Sequence, residues 1–275
     1  MTATPSSLLP IVFIGGGNMA TALITGLRKQ GVSAASILAV EPLVTARQHL
    51  YDSLGVHAVA SADSSLSGAQ LVVWAIKPQL FKAVAEPVHA LFAKALHLSV
   101  AAGIRSDSLA QWLGSQRVVR AMPNTPALVG LGQTGLFARD AVTPLERQAV
   151  SALMQAVGES IWVDHETQLD AVTAVSGSGP AYVFYVIEAM VAAGVRMGLS
   201  PEQAHQLSVG TLVGASELAR ASSESPAVLR ERVTSKGGTT HAAISRLQAD
   251  GVAALIEQAM LAAAERAKTL GDELG

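Results

Sequence analysis

Over its first 164 residues this chain alternates short apolar runs with amphipathic stretches, and that alternation restricts its fold more than any other feature. Strand-like runs fall at 8–15, 37–40, 56–59, 71–76, 96–102, 117–122, 134–138 and 160–163. Between them lie helix-like stretches such as NMATALITGLRKQ, PQLFKAVAEPVHALF and PLERQAVSALMQAVG. Runs that are apolar throughout leave no face for water, so they predict a parallel sheet covered by helices on both sides. After Asp164 the strand signals stop. Helices are expected over 168–176, 180–197, 201–221, 226–232, 240–249 and 252–271, with breaks at Gly177–Pro180 and Leu199–Pro201. The expected organisation is an α/β domain over 1–164 and an all-α domain over 165–275.

Composition removes several function classes. Nineteen basic and twenty-one acidic residues leave a net charge of -2, which offers no basic field for nucleic acid or anionic lipid. With no cysteine, the chain has no disulfide, thiolate nucleophile or cysteine-bound metal, and it fits a reducing cytoplasm. Seven histidines form no HExxH-like cluster, so no metal is expected. The opening MTATPSSLLP lacks the charged and apolar regions of a signal peptide. The apolar stretch from Ala181 to Val195 is interrupted by Glu188 and closed by Arg196, short of the roughly 20 residues a bilayer span needs. It is expected to be a core or subunit-interface helix, not a membrane span, and it implies a homo-oligomer.

The first strand runs directly into GGGNMA and a helix. Gly15-x-Gly17-x-x-Ala20 is the dinucleotide fingerprint with alanine in its third place, and it opens the first of several βα units. The front domain is therefore expected to be of Rossmann type, with Gly15, Gly16, Gly17, Asn18, Met19 and Ala20 around a pyrophosphate at the helix N-terminus. Glu41 ends the second strand, where an acid takes the ribose hydroxyls of NAD; Arg47 could instead meet a 2′-phosphate. Both could equally be solvated loop charges, and NADPH and NADH stay open. Three more loops follow strands at the same sheet edge: AIKPQ, SVAAGI and AMPNTPALVG. Lys77 is placed to reach a ribose or an amide, and Ala101 and Ala102 are small enough for a flat ring to lie on the backbone.

The all-α half carries VSGSGPAYVF and VTSKGGTTHAAI. Gly237 and Gly238 precede an expected helix start, where free amides could seat a carboxylate and Thr239 and Thr240 could add hydroxyls. Ordinary helix capping by the threonines is the plain alternative. The serine of SGSGP does not satisfy GxSxG, because position 176 is serine. It is expected to mark a helix junction.

In that order and spacing, GGGNMA, AIKPQ, SVAAGI, RAMPNTPALVG, VSGSGPAYVF and VTSKGGTTHAAI resemble pyrroline-5-carboxylate reductases over nearly the whole chain. The resemblance implies reduction of 1-pyrroline-5-carboxylate to L-proline, the last step of proline biosynthesis, with hydride from NADPH or NADH. It implies a helical domain that dimerises, commonly within a pentamer of dimers, a decamer. By position it gives Gly15 to Ala20, Ala75, Ile76, Lys77, Pro78, Ala101 and Ala102 to the cofactor. It gives Glu166, Gly238, Thr239 and Thr240 to the substrate, with Thr240 catalytic. Rival readings are a related imine reductase, a β-hydroxyacid dehydrogenase, or a non-enzymatic NAD(P)-sensing module. A hydroxyacid dehydrogenase is expected to carry a lysine on the long helix, and 180–197 has none.

Overall fold

The computed structural model describes residues 8–274, so most of the MTATPSSLLP stretch read for a leader lies outside the described residues. Eight strands appear where apolar runs were expected: β1 (Ile11–Ile14), β2 (Ile37–Val40), β3 (His57–Val59), β4 (Leu71–Trp74), β5 (Leu96–Ser99), β6 (Val118–Met122), β7 (Gly132–Ala138) and β8 (Gly158–Trp162). They form one sheet in the order β3-β2-β1-β4-β5-β6-β7-β8. The first six are parallel, but β7 pairs antiparallel with β6, and β8 then pairs parallel with β7. That corrects the expectation of a uniformly parallel sheet. A parallel return needs a crossover of about a dozen residues. The link from β6 to β7 holds only a 3-10 turn at Thr125–Val129, so the chain must come straight back.

Helices cover both faces because alternate strand residues point to opposite sides. On one face Ile11, Phe13, Leu71, Val73, Leu96 and Leu98 pack with Leu23, Ile24 and Leu27 of α1 (Asn18–Lys29) and with Val150 and Leu153 of α5 (Pro144–Met154). On the other, Val12, Ile14, Val72 and Trp74 pack with Phe81 of α3 (Phe81–Ala85) and with Leu109 and Leu113 of α4 (Ser106–Leu113). The helix α2 (Val44–Leu54) ends at Gly55 in a left-handed conformation, φ 69°. The stretch expected to be helical from Pro78 to Phe92 is broken into a 3-10 turn, α3 and a second 3-10 turn at His89–Phe92. Pro87 removes a backbone donor there and disfavours helix at the residue before it.

His97 is fully buried on β5, and its Nδ1 accepts a hydrogen bond from Trp74 Nε1 at 3.1 Å. That acceptor role fixes a neutral ring. Burial first, and the charge of Arg117 second, push its pKa down to about 4 from 6.5. Between these values the unfolded chain binds a proton that the folded chain refuses, so stability rises with pH across that window. Urea midpoints are expected to fall as pH drops from 6.5 towards 4, and His97→Leu is expected to flatten that slope. An unchanged slope in the variant would assign the acid sensitivity to other groups.

The remaining helices are α6 (Gln168–Val172), α7 (Gly179–Arg196), α8 (Pro201–Ala221), α9 (Pro226–Arg232), α10 (Thr239–Ala249) and α11 (Val252–Leu274). The junction expected at Gly177–Pro180 is instead a π-helical turn, Thr173–Gly177, joining α6 to α7. Ser178 N–H reaches back to the Thr173 carbonyl at 2.8 Å, and Ser176 Oγ donates to the Val172 carbonyl at 3.0 Å. Ser176 is thus bound to its own helix. The α8 start is a full capping box, with Ser200 and Gln203 satisfying each other's amides.

The compact units also differ from a division at 164/165. One ends at Ser178 and takes back the chain from Ala263; the other is Gly179–Ala262. Residues 165–178 stay with the sheet because Leu169 is buried on β7, and the end of α11 packs beside the loop after β5. In the second unit α7 packs on α8, yet Val183, Phe184, Tyr185 and Met197 are exposed, Tyr185 to 75%. The helical run Gln168–Arg196 is long and apolar enough to cross a membrane by length and composition.

Candidate active site

The glycine loop lies at the carboxyl end of β1, at the point where the sheet order turns from β2 to β4. Gly15 has φ +99°, and a Cβ on it would stand 2.4 Å from the Ala75 carbonyl oxygen. Only glycine allows the β1 and β4 loops to meet in this way. Ala75 N–H donates to the Ile14 carbonyl at 2.8 Å, and Val100 N–H to the Trp74 carbonyl at 3.1 Å. The fold thus gathers three of the expected cofactor segments, 15–20, 75–78 and 101–102, along one edge.

That edge fits a dinucleotide. Gly17 is the N-cap of α1, has no side chain to offer, and would have open space around any Cβ. The first helical hydrogen bond runs from Thr21 N–H to the Gly17 carbonyl at 2.9 Å. Asn18, Met19 and Ala20 therefore present amides with no acceptor inside the helix, at its positive end. Ala20 is buried against the sheet, whereas Gly17 and Asn18 are exposed. Lys77 is exposed and Pro78 opens the following 3-10 turn. Ala101 is buried and Ala102 exposed, so this loop offers methyl groups and backbone.

Glu41 is not the solvated loop charge that was one reading of it. It is 9% exposed; Oε2 accepts from Gly16 N–H at 2.8 Å, and Oε1 from Leu43 N–H at 2.9 Å. A buried carboxylate thereby sets the conformation of the glycine loop, and Gly16 has no amide left for a phosphate. Arg47 is also committed locally, since Nη1 donates to the carbonyls of Glu41 and Pro42, each at 2.8 Å.

Glu166 lies just before α6. Its Oε1 accepts from Ser106 N–H at 2.6 Å and from Arg120 Nη1 at 2.5 Å; its Oε2 accepts from Ser106 Oγ at 2.6 Å. An anion therefore closes the N-terminus of α4, whose own N-cap, Arg105, makes no side-chain cap. Burial raises the pKa of Glu166, but hydrogen bonds from Ser106 and the charge of Arg120 outweigh it and hold the carboxyl below 4.5. Arg120 is 6% exposed, and burial lowers its pKa while Glu166 opposes that shift. Glu166 also borders two cavities, one of 440 Å³ with Arg139 and Asp140 and one of 490 Å³ with Arg147 and Trp162.

Sequence reading missed Ser106 and Arg120 as the partners of Glu166, because they are 60 and 46 residues away in the chain. Asn124, in the AMPNTPALVG loop and the N-cap of the 3-10 turn at Thr125–Val129, likewise carried no assigned role in the sequence. Its side chain fastens that turn, donating to the Ser176 carbonyl at 3.0 Å and accepting from Gln133 N–H at 2.9 Å.

In the second unit, Gly237 has φ +77°, and a Cβ on Gly238 would stand 2.6 Å from Ser235 Oγ. Gly238 N–H donates to the Ser235 carbonyl at 3.0 Å, which closes the turn. Ser235 is thus a further residue of this loop. Gly238 is the N-cap of α10 without a side-chain cap, so neither threonine performs the capping role that was the plain alternative. The first helical bond is Ala242 N–H to the Gly238 carbonyl at 3.1 Å, leaving the amides of Thr239, Thr240 and His241 without helical acceptors. Thr239 is exposed and Thr240 half-buried.

Among the described residues no group of three or more His, Asp or Glu side chains could hold a metal ion. The chemistry on offer is therefore two amide-lined helix starts, one behind a strand and one behind a glycine turn.

Both helix starts fall in regions that match known protein families. A family model described as NADP oxidoreductase, coenzyme F420-dependent, matches residues 10–103. One described as pyrroline-5-carboxylate reductase dimerisation matches residues 166–270. The region so matched includes the exposed apolar side chains of α7, as expected of a homo-oligomer subunit. The solved pyrroline-5-carboxylate reductase of Coxiella burnetii superposes with a TM-score of 0.91 at 37% identity, over 96% of this chain and 98% of that one. The Plasmodium falciparum pyrroline carboxylate reductase, solved with NADP bound, gives 0.85 at 26% identity, over 96% and 99%. The pyrroline-5-carboxylate reductase of Pseudomonas aeruginosa is 48% identical over 267 residues, 96% of this chain and 98% of its own length. With the agreement running from the glycine loop through the last helix, the chain belongs to the pyrroline-5-carboxylate reductase family.

Proposed function

We propose that this chain reduces 1-pyrroline-5-carboxylate to L-proline, the closing step of proline biosynthesis, with NADPH or NADH as reductant. The observation that carries the reading is the uncapped start of α10 behind Gly237 and Gly238, in a chain that also holds a dinucleotide edge. A small cyclic imine with a carboxylate needs an anion receptor. The amides of Thr239, Thr240 and His241 provide one from backbone alone, assisted by the helix dipole, while the Gly238 amide closes the turn onto Ser235. Thr240 then places its hydroxyl at the ring nitrogen. Glu166 retains a lone pair on Oε2, which carries one hydrogen bond, and is kept as a substrate contact on that ground.

At the cofactor edge, Asn18, Met19 and Ala20 hold the pyrophosphate, Glu41 orders the loop and faces the ribose, and Ala75, Ile76, Lys77 and Pro78 line the middle. Ala101 and Ala102 support the nicotinamide. The cofactor supplies the hydride. The protein needs no nucleophile for such a transfer; it orients the imine, excludes water and stabilises charge at the nitrogen. A hydroxyacid dehydrogenase is disfavoured because α7 carries no lysine. A sensing module gives no reason for the α10 receptor.

The exposed apolar face of α7 supports a dimer formed through the helical region, within a larger assembly such as a decamer, rather than a membrane span. The composition supports a cytoplasmic enzyme without nucleic-acid partners.

Purified protein is expected to oxidise NADPH or NADH, followed by absorbance, when given pyrroline-5-carboxylate. A folded preparation inert with both cofactors would sink the reading. Glu41→Ser is expected to shift the NADPH-to-NADH ratio of kcat/KM by about tenfold towards NADPH, since the carboxylate that repels a 2′-phosphate is removed. An unchanged ratio would confine Glu41 to its bonds with Gly16 and Leu43.

A further inference from the structure

The loop that leaves β5 is held by groups for which the proposed chemistry has no other use. Arg105 donates with both arms of its guanidinium to Asp170 of α6, Nη1 to Oδ1 at 3.0 Å and Nη2 to Oδ2 at 3.0 Å. Such a bidentate pair fixes the plane of the side chain as well as its position. Nη2 also donates to the Lys268 carbonyl of α11 at 3.3 Å. Gly271 lies against the same group: a Cβ there would stand 2.4 Å from Nε and 2.6 Å from Cζ. The last turn of α11 carries no basic side chain of its own, so Arg105 brings it the positive charge that a helix C-terminus favours.

Two residues before Arg105, Gly103 has φ +79°, and a Cβ on it would meet Leu274 Cδ1 at 3.1 Å and Leu270 Cβ at 3.5 Å. Ala101 and Ile104 are buried in the same core layer that Leu274 packs against. The end of α11 therefore bears on Gly103 and Arg105, while Asp170 fixes the guanidinium from the other side.

We infer that Arg105 is a positioning residue for the nicotinamide end of the cofactor. By tying the 101–104 loop to α6 and to the last turns of α11, it sets the height of the backbone on which the ring lies. The inference rests on the proposed assignment of Ala101 and Ala102 to the cofactor. Arg105 itself acts through the loop and not by touching the ring.

The test compares two ligands in the full-length protein: NADPH or NADH, and the matching half-cofactor that lacks nicotinamide, 2′-phospho-ADP-ribose or ADP-ribose. Arg105→Ala and Gly271→Ala are expected to raise the dissociation constant of the dinucleotide about tenfold, since a displacement near 1 Å is costly in a fitted site. The half-cofactor is expected to stay within about twofold of wild type, because its binding edge is elsewhere. Arg105→Lys, which keeps the charge but not the fork, is expected to fall between. Equal weakening of both ligands, or of neither, would overturn the inference and leave Arg105 a clamp of the fold only. Should Arg105→Ala fail to fold, Gly271→Ala and Arg105→Lys decide by the same ratio. Turnover of pyrroline-5-carboxylate by the wild type judges the proposed function separately, since the binding ratio does not depend on it.

Discussion

Thr240→Ala is expected to lower kcat about a hundredfold while leaving the dissociation constant of the cofactor within error, because one preorganised hydroxyl at a reacting centre commonly contributes that much. The structure makes this substitution informative. Thr240 is the second residue of α10, after an N-cap of glycine, so no capping bond is lost. Its hydroxyl makes no hydrogen bond among the described residues, and alanine is the better helix former. The fold should therefore be indifferent to the change. Thr240→Ser is expected to recover most of the rate by restoring the hydroxyl. Parallel loss of turnover and cofactor binding, or a melting temperature well below wild type, would make Thr240 structural and remove it from the proposed mechanism.

The second large effect is on stability. Arg120→Met is expected to destabilise the protein by about 3 kcal/mol, at the lower end of what breaking a buried ion pair costs. It leaves Glu166, whose side chain is 20% exposed, without its cation and strips a partner from the cap of α4. Urea denaturation at pH 7 measures it directly. The pH dependence carries the sign. The folded-state pKa of Glu166 lies below 4.5, so its contribution is present above that value and is lost as pH falls through the folded value. In Arg120→Met that acid-side loss is expected to shrink. A variant as stable as wild type would mean that Ser106 alone satisfies Glu166.

Elements were the most legible part of the sequence. Each of the eight strands lies within or beside an apolar run, and the helices after Asp164 follow their 3.6-residue periodicity closely. These are local properties, dictated by side-chain spacing and by glycine, proline and serine at the ends. The direction of β7 was not local in that sense, since it depends on how few residues separate it from β6. The π turn at Thr173–Gly177 was read as a break because glycine and proline usually interrupt helices; here the chain widens instead of ending.

The candidate site divides in the same way. Gly15, Gly17 and Ala20 could be found from spacing, because a tight turn, an open approach and a close helix each demand a small residue. The glycines before α10 could be found from the left-handed backbone they permit. Glu41 was legible by position, but not its bond to Gly16, which spans 25 residues. Arg120, Ser106, Asn124 and Arg105 carried no signal, because each acquires meaning only from a partner brought near by the sheet.

By itself, the sequence determined the order of strands and helices, the two helix starts able to receive anions, and the family to which the chain belongs, since all of these follow from short-range pattern. Only the tertiary structure decided which charges are buried and with whom, because burial and pairing depend on segments that meet across the fold. Glu41 on the glycine loop, Glu166 on Arg120 and Arg105 between Asp170 and α11 are that part of the protein.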